Sequence, residues 1–544
     1  MILAVCLTLK TTYYATEHYL DGDASSELVL AHHLAETGQI LSTDWYYSTE
    51  LRVLNTQLVY APLFRIFSDW HMVRFVGALI MQALLVLSFA YLCKQTSLSL
   101  GAFFLGAALL ISPTSIAYGR IVLYHCYYMP HIILSFLIVG LYLSSYKKFT
   151  IRRYGAASLR CLLLLLLSFG SGLGGVRQVI ITHLPLLLVV VYRIFREGPQ
   201  TPLWIAIKNN LGKLSLGCLC TFAFLIGFVI NTSVFHRLFE FKDYTQLVYE
   251  IIDTQKLSDL IYGLLHQFGF RRQLKILSRS GLIALGSILI TTYCLGYSIH
   301  LCIKNPDQSC FSKQIVSLFF NSALGIMLCV FIFADASWYY VLYLIPVAIW
   351  YIPFLCTQYD SFSIQSLHVR CSDTYLLLTL LLLVPSIAIN VVFFNAHTPS
   401  FSQLYEGLAY KNENLVQQLQ QPLNSIQENS YTVGYSTFWN ANTLTEMTDG
   451  QIKMIGLTLK NNDEDANDDH EATSPSFAYY KWLTLKSYLD IKPEKAFLLL
   501  TPAENEAYLE MPFENKGEVI YEDDGCFIVY GFDDPSVLYQ MITW

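Results

Sequence analysis

The chain has 544 residues, 54% of them hydrophobic and 14% charged, with a mean hydropathy of +0.43 and a formal net charge of −7. Such a composition excludes an ordinary water-soluble globule, and without a basic surplus it offers no footing for nucleic acid as a partner. It describes a polytopic membrane protein.

In chain order, the first apolar segment is Met1 to Leu9, just before Lys10. It lacks the charged leader and the small-residue cleavage site of a signal peptide, and is expected to be a short first crossing that extends through Thr11 to Thr16. Charge-free stretches follow at 75–93, 95–119, 214–236, 280–303, 314–334, 336–359 and 374–405, most of them near the ~20 residues a spanning helix needs. Shorter runs at 161–176 and 178–192, and the run 121–146 in which only histidines titrate, bring the expected count to eleven crossings. An odd count puts the termini on opposite sides. With the N-terminus inside, Lys94, Lys147, Lys148, Arg152, Arg153, Arg193, Arg196, Lys208, Lys213, Lys304, Lys313 and Arg370 occupy inner loops, as the positive-inside rule asks. The segment 233–279 would lie outside despite its seven Lys and Arg residues, and long translocated loops obey the rule only weakly.

Beyond residue 394 the chain changes character. Residues 395–544 hold 8 Lys, no Arg and 23 Asp plus Glu, so this part is near −15 and the membrane part, 1–394, is near +8. A separate, small α/β domain on the outer side is expected. Its strands read as 431–436, 452–459, 496–500, 519–522 and 526–530, with hairpin turns at Asp449-Gly450 and Asp524-Gly525 and an amphipathic helix over 476–489. The tract Asn461 to Glu471 reads as a solvated loop, because it lacks the glycine and the alternating acids of an EF-hand. Of 13 cysteines only Cys526 lies in this domain, so no disulfide can form within it. There is no CxxC pair, and neither GxGxxG nor a P-loop occurs, which argues against a nucleotide-driven pump.

The candidate chemistry sits directly after the first apolar segment. Asp21-Gly-Asp23-Ala-Ser-Ser-Glu27 is followed at fixed spacing by Ala31, Leu34 and Gly38. Carboxylates are costly beside a bilayer and are rarely retained there without a task. Asp21 and Asp23 read either as general-base chemistry or as the N-cap of an interfacial helix that begins near Ala24. Glu50 and Arg52 pair with each other on this first outer loop, 17–70, or contribute to a site. Arg120 and His125 lie in the second outer loop, Arg177 follows the turn Gly170-Ser-Gly172-Leu-Gly174-Gly175, and Arg271 and Arg272 lie in 233–279. These arginines offer fork-shaped donors to a phosphate, or anchor the chain among lipid headgroups. In Gly434-Tyr-Ser-Thr-Phe-Trp439-Asn440-Ala-Asn442-Thr443, Trp439 either offers a sugar-stacking face or fills the core of the small domain.

The pattern Asp23-x7-Ala31-x2-Leu34-x3-Gly38, followed by Tyr60-Ala-Pro62-Leu-Phe64 before the second apolar segment, resembles the first outer loop of GT-C glycosyltransferases. The protein mannosyltransferase and aminoarabinose transferase branches are the most similar in pattern. That resemblance implies a helical membrane domain with a C-terminal outer domain in the cytoplasmic membrane. It also implies an inverting transfer of a sugar from a polyprenyl-phosphate donor to a glycan, lipid or protein of the cell envelope. Asp23 would be the general base, with Asp21 beside it. Glu50, Arg52, Arg120, His125, Arg177, Arg271, Arg272 and Trp439 would contact substrates. These families commonly have Asp-Glu where this chain has Asp23-Ala24, so the second acid would be Asp21, Glu27 or Glu50. A divalent cation, Mg or Mn, is left open as a cofactor. The rival classes are a Wzy-like polymerase or ligase, whose catalytic loop lies between late helices, a secondary transporter, and a non-catalytic envelope scaffold. For the transporter, Asn231, Asn321 and Asn390 supply few mid-membrane polar groups and no matching halves.

Overall fold

A computed structural model describes residues 2–48, 51–98, 100–112, 118–149, 154–197, 204–205, 208, 211–242, 254–266, 277, 279–303, 311–333, 415–460, 475–523 and 525–543. Glu50, Arg271, Arg272, Asn390 and the tract 461–471 lie outside the described residues.

The protein is mainly helical. Its membrane part holds α1 (Ile2–His18), α2 (Gly22–Thr37), α3 (Gln57–Leu63), α4 (Trp70–Thr96), α5 (Leu100–Leu110), α6 (Met129–Phe149), α7 (Tyr154–Gly172), α8 (Leu184–Glu197), α9 (Leu211–Val229), α10 (Thr254–His266), α11 (Arg279–Ile303) and α12 (Phe311–Phe333). Among the described residues four helical stretches are long and apolar enough to cross a membrane: Trp70–Thr96, Met129–Tyr146, Leu214–Leu238 and Ser312–Phe333. Shorter apolar helices cover Leu100–Leu110, Leu159–Gly172 and Val179–Arg193. The run expected as one crossing over 121–146 is not one helix. A π-helical turn spans Tyr118–Tyr124, Cys126 adopts φ 59°, and the regular helix begins only at Met129.

Small residues let these helices approach. A Cβ at Gly172 of α7 would lie 2.1 Å from the Phe224 carbonyl oxygen of α9, and one at Gly227 would lie 2.2 Å from that of Phe169. This is close small-residue packing of the kind that holds helices together in lipid. Gly175, with φ 91°, makes the turn that follows α7. The glycine-rich stretch therefore serves packing and chain reversal. A buried amide adds polar glue: Gln82 of α4 donates to Thr12 Oγ1 in α1 and to the Leu123 carbonyl, each at 3.0 Å.

The C-terminal part comprises α13 (Leu415–Glu428), β3 (Val433–Thr437), α14 (Phe438–Met447), β4 (Lys453–Lys460), β5 (Ser476–Tyr479), β6 (Ala496–Leu500), α15 (Pro502–Glu510), β7 (Glu518–Glu522), β8 (Ile528–Phe532), α16 (Ser536–Met541) and β9 (Ile542–Thr543). These strands form one seven-stranded mixed sheet in the order β7-β8-β6-β3-β4-β5-β9. The expected hairpin between β7 and β8 is present. Two expectations are corrected. Asp449-Gly450 is not a hairpin turn, because β3 and β4 run parallel and α14 crosses between them; Phe438, Ala441 and Leu444 recur at helical spacing, and the Asp-Gly pair, with φ 50° and 73°, reverses the chain after the helix. Residues 476–489 are not an amphipathic helix: Phe477 and Tyr479 alternate on a strand paired with β4, and only Lys486–Asp490 coils, as a 3₁₀ turn.

The two parts meet along an extended seam. Beside α2 and α3, the short strand β1 (Tyr46–Tyr47) pairs in parallel with β2 (Glu240–Phe241), and its neighbour Trp45 bridges to Leu485. The Tyr46 N–H donates to the Thr484 carbonyl and the Leu483 N–H to that of Tyr46, while Asp44 accepts from the Ser487 N–H and hydroxyl. One apolar cluster joins α2, α3 and the start of α4 to Leu485.

Candidate active site

The acidic motif forms the first turn of α2, and its two aspartates have different tasks. Asp21 is the N-cap: its carboxylate accepts from the Ala24 N–H at 2.8 Å, as a short polar side chain does at a helix start. Its other oxygen accepts from Arg120 Nη2 at 2.7 Å and lies 3.7 Å from His125 Nδ1. The buried His125 ring reaches the Tyr19 carbonyl through Nε2, so the end of α1, the π-helical turn and α2 are tied into one corner. Asp23, two residues on, is half-buried, and among the described residues its carboxylate makes no hydrogen bond or ion pair.

Electrostatics separates the pair further. Burial would raise the Asp21 carboxyl, but the His125 ring, the Arg120 guanidinium and the Ala24 N–H together hold it below its ordinary range. Asp23 goes the other way. Burial, then the charge of Asp21, pushes its carboxyl up to about 7, with Glu27 adding to the rise and Arg52 and Arg177 opposing it. Two carboxyls driven apart in this manner are a permanent anion and a group that exchanges its proton near neutral pH.

The remaining walls are set by tertiary contacts. Glu27, one turn beyond Asp23 and buried, accepts from the Thr56 hydroxyl and from Asn55 Nδ2 at 3.4 Å. The guanidinium carbon of Arg52 lies 4.8 Å from the centre of the Tyr127 ring, and that of Arg177 lies 5.3 Å from the Tyr128 ring. A guanidinium stacked on a ring uses its face and keeps its N–H donors in its own plane. A single buried side chain braces both arginine-bearing segments: Asn231 Nδ2 donates to the Leu51 carbonyl at 2.9 Å and to the Leu173 carbonyl at 2.7 Å. Gln178, next to Arg177, is fixed by His131 Nδ1 at 3.1 Å and by the Thr182 hydroxyl at 2.7 Å. A narrow cleft is lined by Glu27, Arg52, Tyr127, Trp45 and Leu58 and, from the C-terminal part, by Leu483.

That C-terminal part is built into the site. Arg74, fully buried in the first turns of α4, donates through Nε and Nη2 to Glu446 of α14 at 2.5 and 2.6 Å, and through Nη2 to the Ala24 carbonyl at 2.9 Å. The Trp70 N–H donates to Asp449 at 2.8 Å. Gly22, between the two aspartates, lies against the backbone of Phe438 and Trp439, where a Cβ would come within 2.7 Å of the Phe438 carbonyl oxygen.

Of the residues singled out in the sequence, Asp21, Asp23, Arg52, Arg120, His125 and Arg177 converge here, and Trp439 stands beside them. Trp439 does not fill the domain core. It is one position off the buried Phe438, Ala441, Leu444 face and is 61% exposed. Asn440 and Asn442 are buried instead, with their amides directed to Thr437 Oγ1 and the Leu483 carbonyl. Asn231, Arg74, Glu446 and the Tyr127–Tyr128 pair were not expected in this site, and only the cost of a polar group in an apolar run signalled the first. Among the described residues no group of three His, Cys, Asp or Glu side chains is placed to hold a metal ion. No protein-family model matches the chain, and no curated protein matches it.

Proposed function

We propose that the protein is a membrane glycosyltransferase of GT-C type that moves a sugar from a polyprenyl-phosphate donor to an acceptor of the cell envelope on the outer face of the cytoplasmic membrane. The observation that carries this reading is the half-buried Asp23 carboxylate, unpaired among the described residues and acted on by the charges of Arg52 and Arg177, at the seam of a helical part and an α/β part. In this reading Asp23 takes the proton of the acceptor nucleophile as it attacks the anomeric carbon. Arg52 and Arg177 hold the phosphate that leaves with the lipid, as planar forks suited to its oxygens. Asp21, Arg120 and His125 fix the helix start that aims Asp23. Glu27, hydrogen-bonded and one turn away, keeps negative charge beside the base and so holds its proton affinity up. A positioned base contributes about 10²–10⁴ in rate.

Eleven crossings with residues 17–70, 233–279 and 395–544 outside belong to the same proposal. The pairing of β1 with β2, and the contacts of both with the C-terminal part, support one common side for these three segments. The test of the chemistry is transfer by the purified, membrane-reconstituted protein from a panel of polyprenyl-phosphate sugars to envelope extracts. Asp23→Asn should abolish transfer with folding intact; full turnover in that variant refutes the assignment. Thiol labelling from outside should mark Gln39→Cys and Glu506→Cys and spare Lys94→Cys, and labelling of all three refutes the topology.

A further inference from the structure

Next to Leu483, the residue of the C-terminal part that lines the cleft, the chain carries a set of aromatic rings. Tyr480 and Trp482 stack nearly parallel, 7° between planes and 5.9 Å between centres. The buried Phe438 supports them, with its ring centre 5.6 Å from that of Tyr480 and 6.4 Å from that of Trp482. Trp439 stands edge-on to Phe438 at 5.3 Å and presents most of its ring outward. The segment that carries Tyr480 and Trp482 is pinned in place. Its Tyr480 N–H donates to the Gly456 carbonyl, Leu483 donates to Tyr46 and accepts from Asn442, and Leu483 is held at φ 49°, a conformation a leucine rarely adopts. Leu483 itself lines the cleft together with Arg52 and Glu27. The other end of the set rests on Gly22, the residue before Asp23.

We propose that Trp439, Tyr480 and Trp482 form a carbohydrate subsite that receives sugar rings of the acceptor. The inference rests on the transferase reading for its role, and on geometry alone for its existence. Flat indole and phenol faces match the C–H faces of a pyranose ring, while sugar hydroxyls stay in water around the edges. Binding sites favour such rings because they bring a large area with little side-chain entropy to lose. The charge favours a neutral glycan over the rival occupant, a lipid surface: the part that bears the rings is near −15, which repels anionic headgroups. The position favours an acceptor over the donor, since the rings belong to the C-terminal part, whereas Arg52 and Arg177, assigned to the donor phosphate, belong to the helical part.

The test uses the full-length protein in nanodiscs of neutral lipid, titrated with soluble tetra- to hexasaccharides of glucose, mannose, galactose and N-acetylglucosamine while tryptophan emission is followed. At least one series should give a saturable change that is lost in Trp439→Ala and retained in Asp23→Asn. Affinity should fall about tenfold in Trp482→Ala and recover in large part in Trp482→Phe, in keeping with one aromatic contact. No saturable change with any member of the panel overturns the subsite. An equal change on adding sugar-free anionic vesicles, abolished by the same substitution, overturns it in favour of a membrane anchor. Saccharide binding without transfer by the wild-type protein would sink the transferase reading and leave the subsite standing.

Discussion

Removing the carboxylate of Glu446 tests whether the C-terminal part is an integral wall of the site. Its partner Arg74 is 0% exposed and Glu446 5%, with contacts of 2.5 and 2.6 Å. A guanidinium left in that position without its counter-charge costs about 3–5 kcal/mol. Part of the damage falls on the acidic motif, because the same Nη2 holds the Ala24 carbonyl at the first turn of α2. Glu446→Leu is therefore expected to lower unfolding stability by about 3–5 kcal/mol, to open the seam to protease, and to reduce transfer by misplacing Asp23. The double variant Arg74→Met with Glu446→Leu removes both charges and should recover most of that stability, since well-packed apolar pairs replace buried ion pairs at little cost. Chemical denaturation in mild detergent, combined with limited proteolysis at the seam, measures both. If the two substitutions proved simply additive, or if Glu446→Leu left stability within about 0.5 kcal/mol of wild type, the coupling reasoning would fail.

Transfer should rise with pH as Asp23 loses its proton, with an apparent midpoint near its raised value of about 7. The same raised value means that the ionised form costs folding stability, so this group's contribution is greatest below its unfolded pKa and is lost as pH rises through about 7. Arg52→Gln removes a positive neighbour and should move the midpoint up; Glu27→Gln removes a negative one and should move it down. A pH–rate profile that stayed put in both variants would clear Asp23 of the role. Asn231→Ala leaves the Leu51 and Leu173 carbonyls without their donor and should cost about 1–3 kcal/mol, with donor KM rising more than acceptor KM; equal effects on both would contradict a bracing role for the arginines. Gly22→Ala places a methyl group against the Phe438 carbonyl and should cost about 1–3 kcal/mol by overpacking, read as a lowered thermal midpoint, and an unchanged midpoint would mean that the contact is slack.

Composition alone pointed to spanning helices, because long charge-free apolar runs match the thickness of a bilayer, and four helical stretches among the described residues are long and apolar enough to cross one. The change of charge near residue 395 likewise marked off the acidic C-terminal part, and the spacing around Asp23 marked the first turn of α2 as the candidate site. Strands with alternating aromatic residues and an Asp-Gly turn between two β runs were readable where the pairing is local, as in β7 and β8. Only the tertiary structure could divide the aspartates. Both sit at one helix start, and it is Arg120 and His125, about a hundred residues away, that claim Asp21 and leave Asp23 unpaired. The parallel crossover from β3 to β4 is not legible locally for a related reason: a turn pair has the same local chemistry whether it closes a hairpin or ends a helix. Trp439 shows the same limit, since a tryptophan carries equal hydrophobicity whether it faces a core or a cleft. Burial and charge pairing across hundreds of residues decide the state of a group, and a linear sequence carries the groups without their neighbours.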